Sequence, residues 1–190
     1  GELLTLRPDH DTDTYRLRLG PRWLSPAGLQ IRGVIDVDDD GVLATTAPEP
    51  MSTALVRIGW DGTVTSVSPI RGIFSGLSRG GTEVMSSRDL DSTQAYTEVR
   101  CCGITHRVTS YAERPAVTPE PTFLEVGERA LRAAVLFPRD HVRGSRRLPV
   151  VMSPYGGPHG QVVVAGLAWY GEEKWLADQG FAVIMVDGRG

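Results

Sequence analysis

Leu148-Pro149-Val150-Val151-Met152-Ser153-Pro154-Tyr155-Gly156-Gly157-Pro158-His159-Gly160-Gln161 is the stretch on which the fold reading turns. A short apolar run closed by an aromatic, two glycines and a proline predicts a buried strand whose last residue feeds a tight turn at the carboxyl edge of a sheet. Open α/β sheets place their chemistry at that edge. Adjacent glycines there suit backbone at positive φ, or backbone pressed close to a ligand, because either condition leaves little room for a Cβ. Tyr155, presented by such a turn, carries a neutral hydroxyl that donates one hydrogen bond. Aimed at the oxygen that gains negative charge in acyl transfer, a donor of this kind is worth roughly 3 to 4 kcal/mol. The same residues also describe a buried tyrosine ahead of an ordinary glycine turn.

Downstream, Ala168 to Gln179 predicts a helix with Ala168, Trp169, Trp175 and Leu176 on one face, Glu172 and Glu173 in solvent, and Gly180 as its stop. Phe181 to Val186 reads as a second buried strand. Strand, crossover helix and strand then make a right-handed βαβ unit. Asp187 and Arg189, which close that strand, read as structural rather than catalytic.

Tyr155-Gly156-Gly157-Pro158-His159-Gly160-Gln161, followed after the helix by Gly180-Phe181-Ala182-Val183-Ile184-Met185-Val186-Asp187-Gly188-Arg189-Gly190, resembles the prolyl oligopeptidase family of serine peptidases. Tyrosine before Gly-Gly-Pro, with glutamine three residues after the proline, is most similar to the dipeptidyl-peptidase-IV-like branch; the acylaminoacyl-peptidase branch usually has histidine at that place. The resemblance implies an N-terminal β-propeller joined to a C-terminal α/β-hydrolase domain that cleaves short peptides, often after proline. It implies Tyr155 as an oxyanion-hole donor, Gly156, Gly157 and Pro158 as the turn that supports it, and His159 and Gln161 as substrate rim. The nucleophile elbow Gly-x-Ser-x-Gly is expected roughly 70 residues beyond Gly190, with the aspartate and histidine of the triad after it. Nucleophile, acid and base are therefore not in this chain, and the segment alone is expected to be inactive. Release of N-terminal Xaa-Pro or Xaa-Ala dipeptides is the activity implied by the branch, although the paired glutamates that bind the substrate's amino terminus there are not visible among residues 1–116.

Before the hydrolase-like stretch the pattern has period two. Tyr15 to Leu19, Val42 to Thr46, Leu55 to Ile58, Val64 to Val67, Ile73 to Leu77, Glu83 to Ser87 and Ala95 to Val99 are expected strands. Turn signals at Asp40-Gly41, Asp61-Gly62 and Gly80-Gly81 recur about every 20 residues, so two hairpins make a repeat of about 40, the length of a four-stranded propeller blade. A β-sandwich has similar spacing. Pro115, Pro119 and Pro121 mark an extended connection. The expected division is residues 1–116 as the C-terminal blades of a partial β-propeller and residues 117–190 as the N-terminal part of an α/β-hydrolase domain. Thr122 to Val126 and Ala130 to Phe137 are read as a hairpin opening that second domain, and Arg139 to Arg147 as a solvated loop.

Composition sets the remaining bounds. A net charge of -3 points to neither nucleic acid nor a membrane surface as partner. Cys101 and Cys102 are neighbours, their Cα atoms about 3.8 Å apart across one peptide, below the usual disulfide span, so no structural disulfide is expected. With no asparagine there is no N-glycosylation acceptor, and both features favour a cytoplasmic setting. The four histidines are scattered and show no zinc spacing; no nucleotide-binding glycine motif occurs, so neither a metal nor a cofactor is expected. The expected partners are a short peptide substrate, the remaining propeller and hydrolase segments of the same protein, and, compatibly, a homo-oligomer. Two other readings stay open: a non-catalytic propeller-based binding module, and an α/β-hydrolase esterase.

Overall fold

A computed structural model describes residues 2–157 and 160–188. The regular structure of the described residues is almost wholly β-strand, in four sheets, with one short α-helix. It divides into two compact units, Gly1–Ser87 with Ala95–Ser110, and Arg88–Gln94 with Tyr111–Gly190.

In the first unit, β1 (Leu4–Asp9), β2 (Thr14–Leu19) and β3 (Arg22–Trp23) form a three-stranded sheet. β4 (Gln30–Asp38), β5 (Gly41–Ala47), β6 (Ala54–Gly59) and β7 (Val64–Ser66) form an antiparallel four-stranded meander. β8 (Ile73–Arg79), β9 (Thr82–Arg88), β10 (Tyr96–Cys101) and β11 (Ile104–Arg107) form a second four-stranded sheet. Strand alternation gives the middle sheet two apolar faces. Val42, Ala44, Val56 and Ile58 pack with Leu17, Leu24 and Ile31 on one side, while Leu55 packs with Phe74 and Met85 on the other. A four-stranded meander buried on both faces by its neighbours is compatible with a propeller blade. A buried ion pair ties the first sheet together: Arg16 donates to Asp9 at 2.8 Å and to the Ser25 carbonyl at 2.6 Å.

The second unit carries the mixed sheet. β12 (Thr122–Val126) and β13 (Leu131–Leu136) pair antiparallel through a turn with Gly127 and Ala130 at positive φ. β14 (Val150–Pro154) and β15 (Ala182–Val186) pair parallel, and the strand order is β12-β13-β15-β14. The parallel pair is joined by a 3-10 turn, Leu167–Tyr170, and by α1 (Gly171–Asp178). Ala133 to Leu136 are all buried, as expected of a strand covered on both faces.

Two sequence expectations need correction here. β14 is an edge strand within this chain, not a buried one, and Val150 and Met152, which share one face of it, are largely exposed because no described residue covers that face. The helix also buries a different face. Trp169 and Trp175 stand in solvent, while Tyr170, Lys174 and Ala177 point inward. The inward residues 170, 174 and 177 keep the i, i+4, i+7 spacing of one helical face, so burial falls on a face other than the one that carries Trp169 and Trp175.

Candidate active site

The parallel register sets Pro154 opposite Val186, so the residues that follow, Tyr155 and Asp187, leave the sheet at the same level of its carboxyl edge. From there the chain runs to the 3-10 turn, and its far part is fastened by two buried side chains. Asp187 Oδ1 accepts from the Val162 amide at 2.7 Å and from the Val163 amide at 3.3 Å. The Tyr170 hydroxyl accepts from the Val164 amide at 2.8 Å and donates to the Val164 carbonyl at 2.6 Å. Burial is the main reason that the Tyr170 phenol is pushed well above its ordinary range, so it stays a donor. Its ring meets Phe123 edge-on at 5.9 Å.

The near part of the loop is built differently. Tyr155 is 38% exposed, and its hydroxyl has no hydrogen-bond partner among the described residues. Its ring folds back over Gly157, where an added Cβ would stand 2.5 Å from the phenol oxygen and 2.6 Å from Cζ. Neither Gly156 nor Gly157 lies at positive φ, which corrects the conformational reason expected for this pair. With the Tyr155 ring in its present place only glycine fits at 157, because the tip of that ring occupies the space of a Cβ. Gly156 has open space around it. Gln161 is half-buried. Pro158, His159 and Arg189 lie outside the described residues.

Neighbouring groups complete the edge. The Ser153 hydroxyl, on β14, donates to Glu173 Oε1 at 3.4 Å, so Glu173 turns toward the sheet while Glu172 is exposed. Asp187 Oδ2 is buried with no partner among the described residues. Among those residues no cluster of three or more His, Cys, Asp or Glu could hold a metal ion, and no helix is long and apolar enough to cross a membrane. Among the described residues the pattern offers one uncommitted O–H donor at the carboxyl end of two parallel strands, held on a loop whose other end is bolted to the core. Sequence reasoning found Tyr155 from its glycines. It did not find Tyr170, whose partner is backbone and leaves no mark in residue types.

No protein-family profile and no curated protein matches the chain. Solved structures do. A dipeptidyl peptidase 4 of Porphyromonas gingivalis superposes over 100% of the chain with a TM-score of 0.81 at 21% identity. An acylaminoacyl peptidase of Pyrococcus horikoshii superposes over 97% with a TM-score of 0.66 at 16% identity. The chain spans 29% and 30% of the lengths of those two proteins. At these identities the likeness is one of fold.

Proposed function

We propose that this chain is part of a serine peptidase of the prolyl oligopeptidase family, in which residues 1–116 supply the last blades of a β-propeller and residues 117–190 begin an α/β-hydrolase domain. The carrying observation is the Tyr155 hydroxyl, exposed at the carboxyl edge of β14 and without a partner among the described residues. Support comes from the structural neighbours, a dipeptidyl peptidase and an acylaminoacyl peptidase, and from the parallel β14–α1–β15 unit. The outer edge of β14, unpaired among the described residues, fits a sheet that continues past it in the complete protein.

In that protein a serine attacks the peptide carbonyl, a histidine takes its proton, and an aspartate orients the histidine. Tyr155 donates to the oxygen as it turns from carbonyl to oxyanion. That bond accelerates the reaction only if it is stronger in the transition state than in the substrate complex. A tyrosine in place of histidine supports the dipeptidyl branch, and hence release of N-terminal Xaa-Pro or Xaa-Ala.

The test is a substrate panel on the full-length protein: Ala-Pro and Gly-Pro chromogenic amides, amino-blocked versions of the same, and simple esters. Turnover of the free-amino amides alone supports a dipeptidyl peptidase. Cleavage of blocked peptides moves the assignment to another branch, and turnover of esters alone makes it an esterase. No turnover, with no Gly-x-Ser-x-Gly in the full-length sequence, leaves a binding module.

A further inference from the structure

Cys101 and Cys102 sit in the first unit. β10 and β11 pair with Cys101 opposite Ile104, so the connecting turn is the two residues Cys102 and Gly103, with φ +54° and +75°. Two positive φ values define a type I′ hairpin turn, in which a non-glycine residue at the first place is sterically disfavoured. That conformation has a consequence for the sulfurs. Successive side chains in an extended strand point to opposite faces, which would hold neighbouring thiols apart. With Cys102 rotated into the left-handed region, the two Sγ atoms approach to 3.3 Å.

The turn is accessible. Cys102 is exposed, Cys101 is half-buried, and both line a cleft of about 480 Å³ whose wall also includes Arg57, Glu83 and Arg100. A volume of this size admits a small molecule. Hydrogen bonds from the Thr82 side chain and from Cys102 hold the Cys101 thiol below its ordinary range.

We propose that Cys101 and Cys102 are a redox site that closes reversibly to a vicinal disulfide by exchange with a low-molecular-weight disulfide entering this cleft. The Cys101 thiolate attacks one sulfur of the external disulfide; its S–S bond breaks and the first thiol leaves, taking up the proton from Cys101. The Cys102 thiolate then attacks Cys101 Sγ in the mixed disulfide, and the second thiol leaves with the proton from Cys102. The protein loses two hydrogens, and one external disulfide is reduced to two thiols. Because Cα atoms joined by a trans peptide lie about 3.8 Å apart, short of the ordinary span, the closed ring is strained and readily reopened by excess thiol. The site is independent of the peptidase reading.

The purified chain, first reduced, is equilibrated with mixtures of oxidised and reduced glutathione, blocked with iodoacetamide and cut with trypsin. Cleavage after Arg100 and Arg107 releases one seven-residue peptide with both cysteines. As the oxidised share rises, the doubly alkylated peptide should give way to an unalkylated form two hydrogens lighter than the free dithiol peptide, and excess thiol before blocking should restore the alkylated one. Cys102→Ser should stop at a glutathione adduct on Cys101. Double alkylation across the whole range, a stable adduct in the parent chain, or a disulfide-linked dimer on a non-reducing gel would each overturn the proposal. So would a Cys102→Ser chain that acquires no adduct.

Discussion

Two tyrosines bracket the loop after β14, and they are used in opposite ways. Tyr170 is fully buried with both its donor and its acceptor engaged by Val164. Tyr155 is partly exposed with its hydroxyl unengaged among the described residues. A hydroxyl with filled bonds fixes backbone, and one with none can meet a substrate oxygen without first giving up a partner. That difference separates a fastening from a candidate reagent more sharply than burial alone, since a half-exposed tyrosine is common on any surface.

Exchanging the two hydroxyls for hydrogen is the strongest way to break this comparison. In the full-length protein, Tyr155→Phe should lower kcat on an Ala-Pro or Gly-Pro amide by about a hundredfold or more and leave the denaturant midpoint unchanged. Tyr170→Phe should do the reverse, costing about 2 kcal/mol of stability through two lost bonds to Val164, with a smaller effect on kcat. Unchanged turnover in Tyr155→Phe removes that residue from the mechanism.

Gly157→Val sharpens the same contrast from the backbone side. A Cβ at 157 cannot coexist with the present Tyr155 ring, so the ring must swing away; misplacing a catalytic group by about 1 Å can cost up to roughly a hundredfold. Gly160→Ala, whose Cβ would meet the phenol oxygen at an ordinary 3.6 Å, should cost little. Equal kcat values in the two variants would mean that the ring's present position is not the working one.

Asp187 tests the bolted end. Asp187→Ala leaves the Val162 and Val163 amides without their acceptor and should cost about 2 kcal/mol, with faster hydrogen exchange at both amides. Asp187→Asn keeps an acceptor oxygen and should recover most of that protection. If neither variant changes exchange there, the loop is held by other contacts.

How far the sequence carried these readings depends on what kind of partner each residue has. Residues 15–19 alternate cleanly, residues 42–46, 55–58 and 83–87 are short runs set off by turn residues, and strands β2, β5, β6 and β9 stand there. β4 was illegible, although it is the longest strand, because register shifts between Ile31 and Gly33 and between Val34 and Asp36 break the period of two. β11 was illegible for the opposite reason: all four of its residues are exposed, so nothing in them alternates. The buried helix face was misread because it is made of Tyr170, Lys174 and Ala177, one of them charged and one small, while the larger apolar Trp169 and Trp175 lie on the exposed side. At the candidate site, two glycines flagged Tyr155, while the reason for Gly157 is a contact between near neighbours that only coordinates display.

The smallest expected effect concerns a fastening that, unlike Tyr170, carries charge. Lys174 Nζ, buried on α1, donates to the Phe137 carbonyl at 3.1 Å and to Asp178 Oδ1 at 2.7 Å, and the Arg139 amide donates to the same oxygen at 2.9 Å. The Lys174 hydrogen bond, more than any other cause, holds the Asp178 carboxyl below the usual carboxylate range. A carboxyl depressed by folding contributes stability above its ordinary titration range and loses it as pH falls through the folded value. Stability of the second unit should therefore drop by about 1 kcal/mol more on acidification in the parent chain than in Asp178→Asn, read from denaturant midpoints between about pH 7 and 3. The phenol of Tyr170 does not titrate in that window, so Tyr170→Phe should keep the parent's acid dependence. Parallel profiles for parent and Asp178→Asn would assign the acid response to other carboxylates and leave Asp178 without a share in holding the helix.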